Sequence, residues 1–318
     1  LTHGMRLQVT PDANDKFVLA IDVGTTTVVS YLLDGYTGEV LQTCSMLNPQ
    51  TAYGGDVINR IQYVLEHPGT DALRRSIIGC LDTLTKEAAA REGISTTDIT
   101  RGCIVGNTAM HHLLLGLDPR PLTVPPYMPT EFARLELPPA DLLPISPKGT
   151  VRILPNIAGF VGADTVGCMT ATAFDQIGQT TLLIDIGTNG EMVITNGTHR
   201  IACSTAAGPA FEGAKIRFGI RGTLGAIDHV DLKDGKLVCS VIGGGKAKGL
   251  CGSGLLDAVW AMLQAGMIDE TGRMDTHAGE LWRWGTLDGL SAVRLQDDVW
   301  LTQKDVRELQ LAKAAIRA

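Results

Sequence analysis

From Phe17 onward, short apolar runs rich in β-branched residues alternate with breaks made of Gly and Asp. Phe17-Val-Leu-Ala-Ile21 ends at Asp22, Gly24-Thr25-Thr26-Thr27 follows, and Val28-Val-Ser-Tyr-Leu-Leu33 resumes before Asp34-Gly35 and Thr37-Gly38. This punctuation predicts a meander of strands. The period then changes. Apolar residues three and four apart predict helices over Asp56 to Glu66 and Ala72 to Glu92, with Gly93 placed to stop the second. Ile104-Val105 predicts a short strand that leads through Gly106-Asn107-Thr108 into a helix ending near Leu115. A strand over Val151 to Leu154 and a helix over Asp164 to Phe174 follow. Residues 118–150 are Pro-rich with apolar residues interleaved, which predicts an extended excursion and not a linker. A helix is expected over Leu255 to Ala265. An amphipathic one is expected over Thr302 to Ala318, opened by the cap-like Thr302-x-x-Asp305.

The opening pattern returns about half a chain later. Thr181-Leu-Leu-Ile-Asp185-Ile-Gly187-Thr188-Asn189-Gly190 echoes Leu19-Ala-Ile-Asp22-Val-Gly24-Thr25-Thr26-Thr27, and a second strand follows each turn. The spacing is too long for a solenoid. Two lobes that each open with the same hairpin account for it: an N-terminal arm over 1–16 that reads as the end of an upstream region, lobe I over 17–165, and lobe II over 166–318. The length, 318 residues, is also more than one hydrophobic core usually serves.

Composition narrows the functional classes. Hydrophobic residues at 44% and charged residues at 19% describe an ordinary globular chain. The formal charge of −7, with no Lys/Arg stripe, argues against nucleic acid as the partner, because phosphate neutralisation needs a basic surface. No apolar run has the length of a membrane span and no signal peptide is visible, so a cytoplasmic protein is expected. The seven cysteines show no CxxC or other short metal-ligand spacing and read as buried thiols.

The duplicated turns carry the chemistry. Gly lets the backbone approach a ligand closely. Successive N–H groups of the turn form a concave anion site to which Thr hydroxyls add donors. A carboxylate at the strand end would hold Mg²⁺, through water, since that ion keeps much of its shell. One such turn is weak evidence, because Gly-Thr also serves tight turns. Two, each after an apolar strand, point to a polyphosphate clamped from both sides. The phosphate-binding candidates are Gly24, Thr25, Thr26, Thr27, Gly187, Thr188, Asn189 and Gly190, and Asp22 and Asp185 are the metal-binding pair. Glu191 is a candidate for positioning an attacking water, with Asp164 and Asn107 as alternatives.

Gly208-Pro209-Ala-Phe-Glu212-Gly213 is expected to begin a helix whose N–H groups face the nucleotide, with Glu212 accepting from the ribose. Gly252-Ser-Gly254 before an apolar helix is a further phosphate or ribose candidate. Adjacent histidines His111 and His112 point about 100° apart on a helix and cannot easily share a metal, so one packed and one exposed imidazole are expected. The tryptophans, all in the last fifth, are expected in core or on a partner surface.

Several longer strings are similar to the ATPase domain of the reductive activators of corrinoid proteins, within the superfamily of acetate and sugar kinases, heat-shock chaperone ATPases and actin. They include Ile21-Asp-Val-Gly-Thr-Thr-Thr27, Leu47-Asn-Pro-Gln50, His111-His-Leu-Leu-Leu-Gly-Leu117 and Leu154-Pro-Asn-Ile-Ala-Gly-Phe-Val-Gly-Ala-Asp164. Ile184-Asp-Ile-Gly-Thr-Asn-Gly-Glu191, Cys203-Ser-Thr-Ala-Ala-Gly-Pro-Ala-Phe-Glu-Gly213, Gly249-Leu-Cys-Gly-Ser-Gly254 and Thr302-Gln-Lys-Asp305 continue the likeness. It covers nearly everything from Phe17 to Ala318. The resemblance implies an α/β, actin-like ATPase fold of two ribonuclease-H-like lobes with the nucleotide in the cleft between them. It implies ATP and Mg²⁺ as cofactors and a corrinoid protein as partner, returned from Co(II) to Co(I). It also implies a [2Fe–2S] cluster on a separate upstream domain, since this chain offers no cluster motif, and a lobe II that is C-terminally incomplete. The electron donor is not implied, and a homodimer stays open. A small-molecule kinase on the same fold and a non-catalytic nucleotide-gated scaffold are the competing functions.

Overall fold

The computed structural model describes residues 15–213 and 215–318, so residues 1–14 of the expected N-terminal arm lie outside it. The chain divides into two compact units. The first runs to Leu183 and takes in Met192–Cys203, and the second comprises Ile184–Glu191 and Ser204–Ala318.

In the first unit the expected meander is β1 (Phe17–Val23), β2 (Thr27–Asp34) and β3 (Val40–Leu47). α1 (Val57–Glu66) and α2 (Ala72–Glu92) follow, then β4 (Ile99–Gly106), α3 (Thr108–Leu115), β5 (Leu135–Leu137), β6 (Thr150–Ile153) and α4 (Ala163–Ala171). The sheet runs β3-β2-β1-β4-β6-β5, with β1, β4 and β6 parallel and the other pairings antiparallel. This is the arrangement of a ribonuclease-H-like lobe.

Leu19, Ile21 and Val23 on β1 and Val28 and Leu32 on β2 share one core with Ile77, Leu81 and Leu84 of α2 and Met110 and Leu114 of α3. Each fully buried aliphatic side chain is worth about 1.5–3 kcal/mol relative to exposure. The register sets Val23 beside Gly106, so the turn after β1 and the start of α3 emerge at the same end of the sheet. Local signals explain the helix starts. Asp56 accepts from the N–H of Asn59, and Asn107 accepts from the N–H of Met110.

The Pro-rich excursion is folded onto this core. Leu122, Leu142, Leu143 and Ile145 are buried in it, and β5 pairs with β6. This corrects the expectation for the histidines: both are buried, His111 at 3% and His112 at 0% exposure. The excursion supplies the reason. Its Thr130 N–H donates to His112 Nε2 at 2.9 Å, while His112 Nδ1 bonds the Thr108 carbonyl at 2.7 Å. His111 Nδ1 lies 3.1 Å from Asn156 Nδ2, and that amide also donates to the Glu131 carbonyl. A patch that helical geometry alone would leave to solvent is therefore covered by chain from outside the helix.

β7 (Thr181–Ile186), β8 (Gly190–Thr195) and β9 (Arg200–Thr205) form a three-stranded sheet whose residues are divided between the two units. The second unit adds β10 (Ala226–Lys233), β11 (Lys236–Val241), β12 (Gly249–Leu250), α5 (Gly252–Gln264), β13 (Trp284–Leu287), β14 (Leu290–Gln296), β15 (Val299–Thr302) and α6 (Gln303–Arg317). Its core joins Ile227 and Val230 of β10, Ala258 and Met262 of α5, Val293 and Leu301 of the β13–β15 sheet, and Val306 and Leu309 of α6. Thr302 and Asp305 form the expected reciprocal cap at the start of α6. Trp260 and Trp282 are largely exposed. No helix among the described residues is long and apolar enough to cross a membrane.

Candidate nucleotide site

Asp22 is the penultimate residue of β1 and Asp185 the penultimate residue of β7, so the repeat noticed in the sequence is a repeat of position on a strand. Asp22 is exposed and Asp185 half-buried. Asp22 raises the pKa of Tyr31, after burial the second cause of that shift, which places its negative charge beside the neighbouring strand.

The turn after β1 is fixed from behind. Asn48, which follows β3, donates from Nδ2 to the Gly24 carbonyl at 2.8 Å and from its backbone N–H to the Thr26 carbonyl at 2.9 Å. Between them, the Thr25 carbonyl accepts from Nη2 of Arg60 on α1. In a planar trans peptide the carbonyl and the following N–H point in opposite directions. Three consecutive carbonyls drawn toward Asn48 and Arg60 therefore aim the N–H groups of Thr25, Thr26 and Thr27 to the opposite side of the turn. An array of N–H groups on one side of a turn is the arrangement of an anion nest. Thr25 Oγ1 accepts from Asn107 Nδ2 at 2.9 Å, so Asn107 caps α3 and braces the turn together.

The turn after β7 is built differently. The Gly187 N–H donates to the Asn189 carbonyl at 2.9 Å, and the Thr188 carbonyl accepts from Gly208 N–H at 2.8 Å. Thr188 Oγ1 donates to Glu212 Oε1. Glu191 is buried and accepts from Ser204 Oγ at 3.0 Å. Gly190 packs under Ile316 of α6. Thus Gly187, Thr188, Asn189, Gly208 and Glu212 do come together.

The helix expected from Gly208 is a single 3₁₀ turn, Pro209–Glu212, closed by Gly213. With so few residues it has little macrodipole to offer. Gly252 and Gly254 open α5 as expected, but close backbone packing accounts for both. A Cβ on Gly252 would meet the Phe211 carbonyl at 2.2 Å, and one on Gly254 would meet the Ile227 carbonyl at 2.2 Å. Asp164 lies in the first turn of α4 and accepts from its neighbour Thr165 N–H. A pocket of about 480 Å³ beside β11 and β14, lined among others by Leu237, Trp282, Arg283 and Leu295, contains none of the candidate residues.

Sequence reasoning missed Asn48 and Arg60. Leu47-Asn-Pro-Gln50 was visible as part of the resemblance, and Asn before Pro is a start signal for a turn, but neither feature says that the amide reaches back to Gly24. Arg60 reads as a polar position of an amphipathic helix, yet it is fully buried.

The fold and these turns define an actin-like ATPase domain. Residues 17–177 match the family described as the RACo middle region, and residues 179–318 match the C-terminal domain of RACo, the ASKHA domain. The chain belongs to this family. It is 39% identical over 317 residues to "Corrinoid activation enzyme RamQ" of Eubacterium limosum, covering 94% of this chain and 53% of the relative. It is 25% identical over 332 residues to "[Co(II) methylated amine-specific corrinoid protein] reductase" of Methanosarcina barkeri, covering 94% of this chain and 58% of that one. A solved structure described as "Reductive activator for corrinoid,iron-sulfur protein" superposes with a TM-score of 0.86 at 36% identity, over 96% of this chain and 50% of its own. The chain spans about half the length of the relatives it matches.

Proposed function

We propose that this chain is the ATP-binding and ATP-hydrolysing part of an activator that returns a corrinoid protein from Co(II) to Co(I). The observation that carries the nucleotide half of the reading is the inward pull on the Gly24, Thr25 and Thr26 carbonyls, which presents the opposite face of the turn as donors for phosphate. The corrinoid half rests on family membership and on what the similar proteins are named for.

In this reading Gly24, Thr25, Thr26 and Thr27 of the first turn and Gly187, Thr188, Asn189 and Gly190 of the second bind the phosphates. Gly208, Pro209 and Glu212 lie toward the ribose. Asp22 and Asp185 would hold Mg²⁺ through its water shell, and Glu191 would orient the attacking water. Magnesium would supply charge neutralisation on the transferring phosphoryl group. Hydrolysis consumes one water and yields ADP and phosphate, while the cobalt gains one electron from a donor outside this chain. ATP must then favour one conformation of the activator that the corrinoid protein also favours, so that each raises the other's affinity.

The test is ATP turnover by the intact protein with and without a Co(II) corrinoid protein and a low-potential chemical reductant, with cobalt followed by its visible spectrum. Partner-stimulated hydrolysis together with ATP-dependent appearance of Co(I) is the expected result. Hydrolysis indifferent to the partner, or a phosphorylated small molecule as product, would overturn the assignment.

A further inference from the structure

Arg60 is, among the described residues, the largest side chain with essentially no exposure. Its donors are spent on neutral acceptors: Nε on the Gly54 carbonyl at 2.9 Å, Nη1 on Gln50 Oε1 at 3.4 Å and Met110 Sδ at 3.2 Å, and Nη2 on the Thr25 carbonyl. Among the described residues no carboxylate forms an ion pair with it. Asp56 is the acid whose charge reaches it, and that carboxylate is engaged one turn earlier, capping α1 through the N–H and the side-chain amide of Asn59.

A buried charge without a counter-ion is expensive, and a protein that only needed to hold a turn carbonyl would do it with a neutral amide, as Asn48 does next door. Burial pulls the guanidinium down to about 10, so it stays charged at neutral pH. The one peptide unit between this charge and the outer face of the turn is the Thr25–Thr26 peptide, which Arg60 itself orients. An anion seated on that face would supply the missing counter-charge at short range, in surroundings where water screens little.

We propose that Arg60 is a positioning residue for the nucleotide phosphates, acting through the peptide it orients and through a positive charge that, among the described residues, forms no ion pair with a side-chain carboxylate. The proposal rests on the nucleotide reading and deepens it: it makes the first turn selective for the number of negative charges on the ligand. Asn48 anchors the same turn without that selectivity.

The experiment is calorimetric binding of ATP, ADP and adenosine to the intact wild-type protein and to Arg60→Met and Arg60→Lys, each checked for melting temperature. For Arg60→Met the expected loss is roughly 30- to 100-fold for ATP, at the low end of the scale for removing one member of a desolvated charge pair because a peptide unit lies between the charges. The loss should be smaller for ADP and negligible for adenosine. Arg60→Lys keeps the charge but not the fork, and should preserve the wild-type order of preference at reduced affinity. Equal losses for all three ligands, or none, would overturn the proposal, since a residue that merely supports the fold has no reason to count phosphates. Should Arg60→Met not fold, Arg60→Lys decides: a flattened ATP-to-adenosine ratio in a folded Lys variant overturns the charge argument. Wild-type protein that binds none of the three would remove the nucleotide reading itself, and this proposal with it.

Discussion

The two acidic turns are near-copies in sequence and unlike in support. The turn after β1 is held by side chains from three separate places, Asn48 after β3, Arg60 on α1 and Asn107 at the start of α3. The turn after β7 takes its hydrogen bonds, among the described residues, from the nearby stretch 204–212, through Gly208, Glu212 and Ser204, and packs against Ile316 of α6. Their electrostatic settings are opposite as well: a cation lies behind the first turn and a carboxylate touches the threonine of the second. Duplicating a turn motif therefore does not duplicate its surroundings. The short motif sets strand, turn and acid, while the wiring around it decides how rigid the turn is and what charge it welcomes.

The sharpest way to break this comparison is to remove the acids. Asp22→Asn and Asp185→Asn should each lower ATP turnover by about 10²- to 10³-fold, the usual cost of losing one preorganised electrostatic contact in a transition state. Phosphate release measured over a magnesium titration checks this. Turnover unchanged in either variant would show that its strand end is not part of the site.

Acid should act on the first turn before the second. Burial, and then the neighbouring His112, bring His111 down to about 4, with Glu131 opposing, and His111 lies on the helix that Asn107 starts. Its folded pKa is below the ordinary histidine value, so the folded state resists protonation. The stability this represents is complete above about pH 6.5 and is lost as pH falls through 4, by roughly 3 kcal/mol if the site is the main titrating group. Denaturant unfolding of wild type and His111→Gln from pH 7 to 4 should show the variant with the flatter slope. Parallel slopes would reject the assignment.

Asn48→Ala should cost about 2 kcal/mol, because it strands the partly buried Gly24 carbonyl and uncaps the turn at Gln50. ATP affinity should fall with it, read by denaturation and calorimetry on the same samples. Glu212→Gln keeps a hydrogen-bond acceptor for Thr188 and should cost under about 1 kcal/mol. A larger loss for Glu212→Gln than for Asn48→Ala would invert the ranking of the two turns.

Much of the fold was readable because its signals are local. Asp56, Asn107 and the Thr302–Asp305 pair announce helix starts, and the apolar runs of β1 and β2 alternate with polar breaks. What escaped was tertiary. Nothing in the period of α1 separates a solvated arginine from one turned inward onto a carbonyl 35 residues away. The burial of His112 depends on Thr130, contributed by a segment without helical or strand periodicity. Gly252 and Gly254 look like ligand contacts in one dimension because close approach to a phosphate and to another backbone demand the same missing Cβ. The 3₁₀ turn at Pro209 begins as a helix should and is then stopped by Gly213, a competition that local signals describe but do not decide.

The Pro-rich excursion has a consequence for how the polypeptide matures. β4 leaves one edge open until β6 arrives from beyond the excursion, and the imidazole of His112 lacks its Thr130 partner until the same interval has been synthesised. A nascent chain emerging from the ribosome thus carries an unfinished sheet with a bare margin, the kind of surface that invites pairing with a neighbour. Prolines scattered through the late segment discourage that segment from forming illicit ladders of its own while it waits. Until the strap that covers α3 has been synthesised, that margin of β4 stays unpaired.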